Sequence, residues 1–242
     1  MAYISACRPN HAFKPKPLRY AKHMAGTACH ALRSTTCLGL TWVLAVMKLL
    51  VVRHGETRFN AEHRYLGALD PDLNAKGVSQ AMVLSSTLPR CVDAIVCSPL
   101  QRARRTAEII GSERGRNPTV IDAFRERNVG VFEGLTQAEA QARFPELWSQ
   151  NVTRLWEGAP TGGETIDEVV TRVAKGLDDL YESHAGRAVA LVAHGFVAKV
   201  VRAICRTDFQ DFFEWQLANG AVCELTLTAN NSFKPMPLRG TA

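Results

Sequence analysis

Three short apolar runs without polar alternation are the clearest pattern along the chain. They cover residues 49–52, 94–97 and 188–193. Such runs are typical of strands that are covered on both faces, as in a central parallel sheet, although the first is too short to exclude a helix. The chain therefore offers three candidate strands for the interior of a sheet.

Helical patterns separate these candidate strands. Residues 74–88 predict a helix that Gly77 weakens, and residues 196–205 predict another helix after the third run. The most regular helix is predicted after Thr165, which opens a capping box. Its apolar stripe consists of Ile166, Val169, Val170, Val173, Leu177 and Leu180.

Weaker signals complete the pattern. A second capping box at Thr136 predicts a helix that stops near Pro145. Two further strands are predicted at residues 120–121 and 221–228. Because strands and helices alternate along the chain, the expected fold class is α/β.

Composition agrees with a single core, and the charge is unevenly distributed. The 242 residues are 46% hydrophobic and carry a formal net charge of +6. Residues 1–46 contain no acidic residue, and beyond them 23 basic and 23 acidic residues balance. The six basic residues of this extension are Arg8, Lys14, Lys16, Arg19, Lys22 and Arg33. The basic excess therefore belongs to an N-terminal extension and not to the fold.

Three interpretations of this extension remain open. An acid-free leader is typical of organellar targeting peptides or, through its apolar end, of a secretory signal, although no small-residue cleavage site precedes Lys48. A basic leader that binds nucleic acid or an anionic membrane would make the chain a binding module, but it has no long lysine and arginine run. We favour a functional start at Met47. Residues 1–46 are then disordered or outside the functional chain, residues 47–230 form one domain, and residues 231–242 form a tail.

The seven cysteines indicate a reducing compartment. Their number is odd and their spacings contain no paired CxxC motif. Neither a disulfide framework nor a zinc site is predicted. We therefore expect a cytoplasmic protein.

Residues able to carry chemistry follow the ends of the three apolar runs. The first run ends on Arg53 and His54 and the third on His194, each histidine followed by glycine. The second leads through Ser98-Pro, predicted to cap a helix, to Arg102 in its first turn. Since ligands of open α/β sheets bind beyond the carboxyl ends of the strands, these side chains are expected to converge. One histidine after a strand is more often structural, but two such ends favour a phosphate-accepting nucleophile at His54.

The order of the motifs closely resembles the histidine phosphatase superfamily, the phosphoglycerate-mutase-like fold, over about residues 48–227. The matching segments are Arg53-His-Gly-Glu-Thr57; Asn60, Gly67, Asp70, Leu73 and Gly77; Ser98-Pro-Leu-x-Arg-Ala-x-x-Thr-Ala107; Glu126 before Gly130 and Phe132-Glu-Gly134; Gly162-Gly-Glu-Thr165; and Ala193-His-Gly195. Arg105 stands where many members carry glutamine. Within the superfamily, the resemblance is to the branch of broad-specificity and alpha-ribazole phosphatases.

The resemblance implies a fold and a set of site residues. The fold is a three-layer α/β/α sandwich with a mostly parallel central sheet and a small helical cap segment at about residues 133–163. His54 is implied as nucleophile and Glu126 as general acid and base, with Arg53, Arg102 and His194 also catalytic. The implied substrate-binding residues are Arg53, Asn60, Gly67, Arg102, His194 and Gly195.

The resemblance also implies the partners. The substrate is a small-molecule phosphomonoester, with no cofactor, no metal, no nucleic acid and no membrane, and the protein is a monomer or a homodimer. Without the resemblance, Glu126 reads as a surface acid paired with Arg125 or Arg127.

Phosphatases and mutases of the superfamily share these motifs. The cofactor-dependent mutases carry a longer insertion with extra basic residues after the acid, whereas only residues 127–161 intervene here. We therefore predict hydrolysis of a phosphorylated metabolite, with phosphoglycerate mutase as the alternative. Four apolar residues of the cap either form a wall of the pocket or pack within the cap: Phe144, Trp148, Leu155 and Trp156.

Overall fold

The computed structural model describes residues 46–229, so the predicted tail and all but the last residue of the predicted extension lie outside the described residues. The strands are β1 Met47–Arg53, β2 Ala94–Cys97, β3 Thr119–Val120, β4 Ala188–Ala193 and β5 Val222–Leu227. The helices are α1 Arg58–Ala61, α2 Ala75–Thr87, α3 Gln101–Ser112, α4 Gln137–Arg143, α5 Pro145–Ser149, α6 Ile166–His184 and α7 Gly195–Arg206. Short 3-10 turns lie at Asp122–Phe124, Gly130–Phe132 and Val152–Arg154. Within residues 46–229, no helix has both the length and the apolar character needed to cross a lipid bilayer.

The strands form one sheet in the order β3-β2-β4-β1-β5. Four run parallel, and β5 runs antiparallel to β1. Arg53 is level with Ala193, and Cys97 with Val192, so β1, β4 and β2 end side by side. The predicted mostly parallel sheet is confirmed. The residues that follow these three strands therefore lie together at the carboxyl end of the sheet.

The apolar runs face two separate cores. Along β1, Leu49 and Val51 pack with α6 and α7, whereas Leu50 and Val52 pack with α2 and α3. All four side chains are at most 2% exposed, and full burial of such a side chain stabilises the fold by about 1.5–3 kcal/mol. Helices cover both faces of the sheet, which confirms the three-layer prediction and explains the missing polar alternation.

The predicted capping boxes and apolar stripe are confirmed. Thr165 Oγ1 accepts a hydrogen bond from Glu168 N at 3.1 Å, and Thr136 Oγ1 accepts one from Glu139 N at 3.2 Å. All six stripe residues of α6 are buried. Helix α4 ends before Pro145, which starts α5. Because α6 is capped, long and packed on the core, it can hold neighbouring loops in place.

The prediction that Ser98 caps a helix is wrong. Helix α3 begins at Gln101, and Leu100 precedes it in an extended conformation without a side-chain cap. The hydroxyl of Ser98 accepts from Leu100 N at 3.3 Å, outside α3, and lies 2.7 Å from Nε2 of His194, the residue that follows β4. Strand β3 covers residues 119–120, whereas the sequence predicted a strand at residues 120–121.

The close packing of α2 on the loop after β1 explains why a glycine occupies position 77. A Cβ atom on Gly77 would lie 2.1 Å from the Glu56 carbonyl oxygen, and one on Gly55 would lie 2.3 Å from the Gly77 carbonyl oxygen. The helix forms although glycine disfavours it, because Asn74 caps it and accepts a hydrogen bond from Gly77 N at 2.8 Å.

The cap has a small core of its own. Phe144 and Trp148 pack on Phe132 with ring centroids 5.9 and 6.5 Å away. Trp156 packs against the main core, while Leu155 is 46% exposed. The three aromatic residues therefore stabilise the cap by packing.

Candidate active site

His54 follows β1 and is 2% exposed. Its Nδ1 lies 2.7 Å from the Gly55 carbonyl oxygen, which can only accept, so the ring proton is on Nδ1 and Nε2 carries a lone pair. Burial, followed by the positive charges of Arg102 and Arg53, lowers the pKa of His54 well below its ordinary value. His54 is therefore neutral near pH 7, and its Nε2 is a possible nucleophile.

His194 follows β4 and lies beside His54, with 5.1 Å between the ring centroids. Its Nε2 contacts Ser98 Oγ at 2.7 Å, and the same oxygen accepts from Leu100 N at 3.3 Å. The Ser98 hydroxyl still has its own proton to donate to Nε2, and in that arrangement the ring proton of His194 lies on Nδ1. Burial and the charge of Arg102 lower the pKa of His194 well below its ordinary value, so this ring is also neutral.

Arg102 is completely buried and points at His54. Its guanidinium donates to the Leu69 and Gly67 carbonyl oxygens at 2.5 and 3.0 Å, which fixes its plane. Its Nε lies 3.3 Å from His54 Nε2. Burial lowers the pKa of Arg102, an effect that the charge of Glu126 opposes, and arginine remains cationic in proteins.

Arg53 is the last residue of β1 and directly precedes His54. Its NH1 donates to the Leu217 carbonyl oxygen at 2.7 Å. A Cβ atom on Gly195 would lie 3.3 Å from Arg53 Cζ, so glycine at this position gives the guanidinium room. Gly195, which the resemblance implied as substrate-binding, therefore also makes room for the side chain of Arg53.

The groups around His54 are suited to an anion. Arg53 Nε and His194 Nδ1 are buried nitrogens without a hydrogen-bond partner among the described residues. Helix α7 begins at Gly195, directly after His194, and the positive end of its dipole lies there. Since buried N–H groups are nearly always paired, unpaired ones beside two cations indicate a site for an anionic ligand.

Glu126 lies in an irregular segment between two 3-10 turns. Its carboxylate accepts from Arg127 N at 2.9 Å and from Phe196 N, in the first turn of α7, at 3.2 Å. Ion pairs with Arg125 or Arg127 are absent among the described residues: Arg125 pairs with Asp122 and Glu164, and the guanidinium of Arg127 donates to backbone carbonyls. Glu126 also lines a cleft with Ala68, Leu100, Arg125, Asn128 and Glu164. The carboxylate therefore lies at the start of α7, close in the chain to His194, and not against a surface cation.

Asn60 and Gly67 support the site in different ways. The Asn60 side-chain oxygen accepts from Thr57 N and Asn219 Nδ2 at 3.1 and 3.2 Å, so its amide nitrogen is the group left for a ligand. Gly67 has φ +55°, and a Cβ atom there would lie 2.1 Å from a Glu133 carboxylate oxygen. Its carbonyl, as described above, orients Arg102.

Three supporting residues were not assigned a site role from the sequence. Ser98 bonds to His194, Thr106 Oγ1 accepts from Gly55 N at 3.1 Å, and Asn219 Nδ2 donates to the His54 carbonyl oxygen at 3.1 Å. Ser98 and Thr106 lie within the second matching motif, which could have indicated them. Asn219 lies in an irregular segment before β5, and its position gave no signal.

The comparison with known families decides the identity of this arrangement. Residues 49–234 match the histidine phosphatase superfamily, branch 1. The chain belongs to the histidine phosphatase superfamily. Members of this superfamily are phosphatases or mutases, and both transfer phosphoryl groups. Among the described residues, no group of three or more His, Cys, Asp or Glu side chains could hold a metal ion.

Similar proteins of the histidine phosphatase superfamily carry several names. A bifunctional protein of Mycobacterium tuberculosis is 38% identical over 152 residues, 61% of this chain and 41% of that protein. Phosphoserine phosphatase 1 of Hydrogenobacter thermophilus is 30% identical over 178 residues, 73% of this chain and 84% of that protein. A mycobacterial glucosyl-3-phosphoglycerate phosphatase, solved in complex with VO3, has a TM-score of 0.67 at 29% identity and covers 73% of this chain and 91% of that chain. The matched part of this chain thus spans 41% of the length of the bifunctional protein of Mycobacterium tuberculosis.

Proposed function

We propose that the protein is a phosphomonoesterase that hydrolyses a small phosphorylated metabolite through a phosphohistidine on His54. The observation that carries the proposal is the neutral, buried His54, whose Nε2 lies 3.3 Å from Arg102 Nε. Arg53 precedes His54 in the chain and the His194 ring lies 5.1 Å from the His54 ring; Arg53 Nε and His194 Nδ1 are buried and have no hydrogen-bond partner among the described residues. This combination provides a nucleophile and donors for the three oxygens of a phosphoryl group.

In the first step the Nε2 lone pair of His54 attacks phosphorus, and the bond from phosphorus to the ester oxygen breaks. Arg53, Arg102 and His194 donate to the phosphoryl oxygens, because positioning and charge stabilisation account for most of phosphoryl-transfer catalysis. Arg102 Nε then donates to a phosphoryl oxygen in place of His54 Nε2. Glu126 gives its proton to the leaving oxygen, so the product departs as a neutral alcohol.

In the second step a water molecule replaces the alcohol. The Glu126 carboxylate takes a proton from this water, whose oxygen attacks phosphorus. The bond between phosphorus and Nε2 breaks, and its electron pair returns to His54. Inorganic phosphate leaves, and both His54 and Glu126 regain their starting protonation states.

Hydrolysis is favoured over mutase activity by the segment between Glu126 and Glu164. It is short, and its aromatic residues pack within the cap and against the main core. Two relatives are named for hydrolysis, of phosphoserine and of glucosyl-3-phosphoglycerate. These two esters are therefore the first substrates to assay.

The test is phosphate release by wild type and by His54→Ala. We expect release from at least one ester without a bisphosphorylated primer, and a loss of at least about a thousandfold in kcat/KM for His54→Ala. His184→Ala, at the far end of α6, is the matched control and should retain activity. Residual turnover above this level would contradict His54 as the nucleophile, and strict primer dependence would favour a mutase.

A further inference from the structure

The position of Glu126 is not set by a strand or an α-helix. The chain from Arg125 to Val129 runs irregularly between the 3-10 turns Asp122–Phe124 and Gly130–Phe132. A general acid must be held within hydrogen-bond reach of the leaving oxygen, and a misplacement of about 1 Å can lower a rate about a hundredfold. Side-chain contacts must therefore hold this segment.

Arg172, on the rigid helix α6, donates three hydrogen bonds to backbone carbonyls in and just before this segment. Its NH1 donates to the carbonyl oxygens of Ala123 and Arg125 at 2.8 Å each. Its NH2 donates to the carbonyl oxygen of Glu126 itself at 3.2 Å. One planar guanidinium thus binds the backbone carbonyl of Glu126 and two carbonyls that precede it in the chain.

Glu164 fixes the plane of that guanidinium. Its two carboxylate oxygens accept from Arg172 Nε at 2.9 Å and from Arg172 NH2 at 3.0 Å, a bidentate pair. The same carboxylate accepts from Asn128 N at 3.0 Å, near the other end of the segment. The side chains of Arg172 and Glu164 are only 14% and 17% exposed, so water competes weakly for these bonds.

The charge state of Glu164 agrees with this role. Burial by itself raises the pKa of Glu164, but the hydrogen bonds from Arg172 and Asn128 and the nearby positive charges outweigh it, and the pKa lies below its ordinary value. The carboxylate is therefore ionised near pH 7 and can hold both partners.

We propose that Arg172 and Glu164 are positioning residues for Glu126, and that they determine how well the enzyme hydrolyses esters whose leaving oxygen needs a proton. The proposal rests on the proposed function of Glu126 as general acid. Lysine cannot replace Arg172, because it presents three donors from one nitrogen and cannot bridge three separated carbonyls and a carboxylate.

The experiment compares two substrates that differ in their need for an acid. Phenyl phosphate releases a basic phenolate, which a general acid must protonate, whereas dinitrophenyl phosphate releases a weakly basic anion that needs no proton. The measured quantity is kcat/KM for each, since it reports the first step. We expect Glu126→Gln to lower kcat/KM for phenyl phosphate about a hundredfold and that for dinitrophenyl phosphate less than about threefold.

Arg172→Lys should show the same selective loss, of at least about tenfold on phenyl phosphate. Glu164→Gln keeps the size of the side chain and should act in the same direction by at least about threefold, and it decides the question if Arg172→Lys fails to fold. The double variant Glu126→Gln with Arg172→Lys should lose no more than Glu126→Gln alone, because both changes remove one function.

Arg114→Lys is the matched control. Arg114 also binds three carbonyls, those of Ser85, Leu88 and Pro89, but it follows the end of α3, roughly 15 Å along that helix from Arg102. It should lower the melting temperature and leave the ratio between the two substrates unchanged.

The Glu126 and Arg172 variants distinguish the role of Glu126 from its positioning by Arg172. If Glu126→Gln shows no preference between the substrates, the proposed role of Glu126 is wrong, and with it the positioning role. If Glu126→Gln is selective but Arg172→Lys lowers both substrates equally or neither, only the positioning role is overturned.

Discussion

Replacing Ser98 by alanine tests how the protonation of the second histidine is controlled. The Ser98 hydroxyl is completely buried, lies 2.7 Å from His194 Nε2 and accepts from Leu100 N. Without it, either tautomer of His194 is unfavourable. A proton on Nδ1 leaves Nε2 as a buried acceptor without a partner, and a proton on Nε2 turns a lone pair of Nδ1 towards the phosphoryl group.

The size of the effect follows from these two alternatives. A buried polar atom without a partner costs about 1–3 kcal/mol, and a hydrogen bond to a charged group contributes about 1.5–3 kcal/mol. Since about 1.4 kcal/mol corresponds to a factor of ten, we expect Ser98→Ala to lower kcat/KM about 10- to 100-fold. Competitive inhibition by inorganic phosphate should weaken in parallel, because the ground-state anion uses the same donor.

The assay is phosphate release with a phosphate inhibition series, together with nitrogen-15 NMR of the His194 ring. Wild type should show His194 protonated on Nδ1, and Ser98→Ala should shift the proton towards Nε2. Ser85→Ala is the control, because Ser85 is also buried and hydroxyl-bonded, to Glu113 Oε2 at 3.0 Å. Unchanged kcat/KM and an unchanged tautomer in Ser98→Ala would refute the reasoning.

Two further predictions concern stability. Burial and Arg102 lower the folded-state pKa of His54 and His194, so below pH 6.5 the unfolded chain binds protons that the folded chain does not. The free energy of unfolding should therefore be highest above about pH 6.5 and fall by up to about 1.4 kcal/mol per histidine and pH unit as the pH drops. Urea unfolding should show a flatter pH dependence in the variant with His54→Gln and His194→Gln, and equal slopes would contradict the assignment. Gly77→Ala should lower the free energy of unfolding by more than about 2 kcal/mol, because the added Cβ would lie 2.1 Å from the Glu56 carbonyl oxygen. Urea unfolding measures this, with Ser79→Ala at an exposed position of the same helix as control. A more stable Gly77→Ala protein, the usual effect of alanine in a helix, would contradict the predicted steric clash.

The elements that could be predicted from the sequence are those specified by near neighbours along the chain. The capping boxes at Thr136 and Thr165 join residues three positions apart, and the stripe of α6 repeats within one or two turns. The β4 strand has the predicted bounds, because its apolar run is continuous and flanked by polar residues or glycine. Interactions between residues close in sequence therefore made most of the helices and strands predictable.

The sequence did not specify the structure where one local pattern is compatible with two different hydrogen-bond partners or two strand directions. Ser98-Pro is a reasonable helix start, but the Ser98 hydroxyl bonds to His194, 96 residues away. Likewise, an apolar run does not specify strand direction, and β5 returns antiparallel to β1. In both cases the deciding contact joins segments that are distant in sequence.

The sequence by itself determined which residues stand at the ends of β1 and β4, and hence that Arg53, His54 and His194 belong to one end of the sheet. It also indicated Glu126, through the order of the motifs. Only the tertiary structure decided that His54 is neutral, with its Nε2 lone pair directed at Arg102 Nε, and that His194 Nε2 contacts Ser98. The physical reason is that a tautomer and a pKa depend on burial and on partners brought together from separate strands, whereas strand and helix periodicity depends on residues adjacent along the chain.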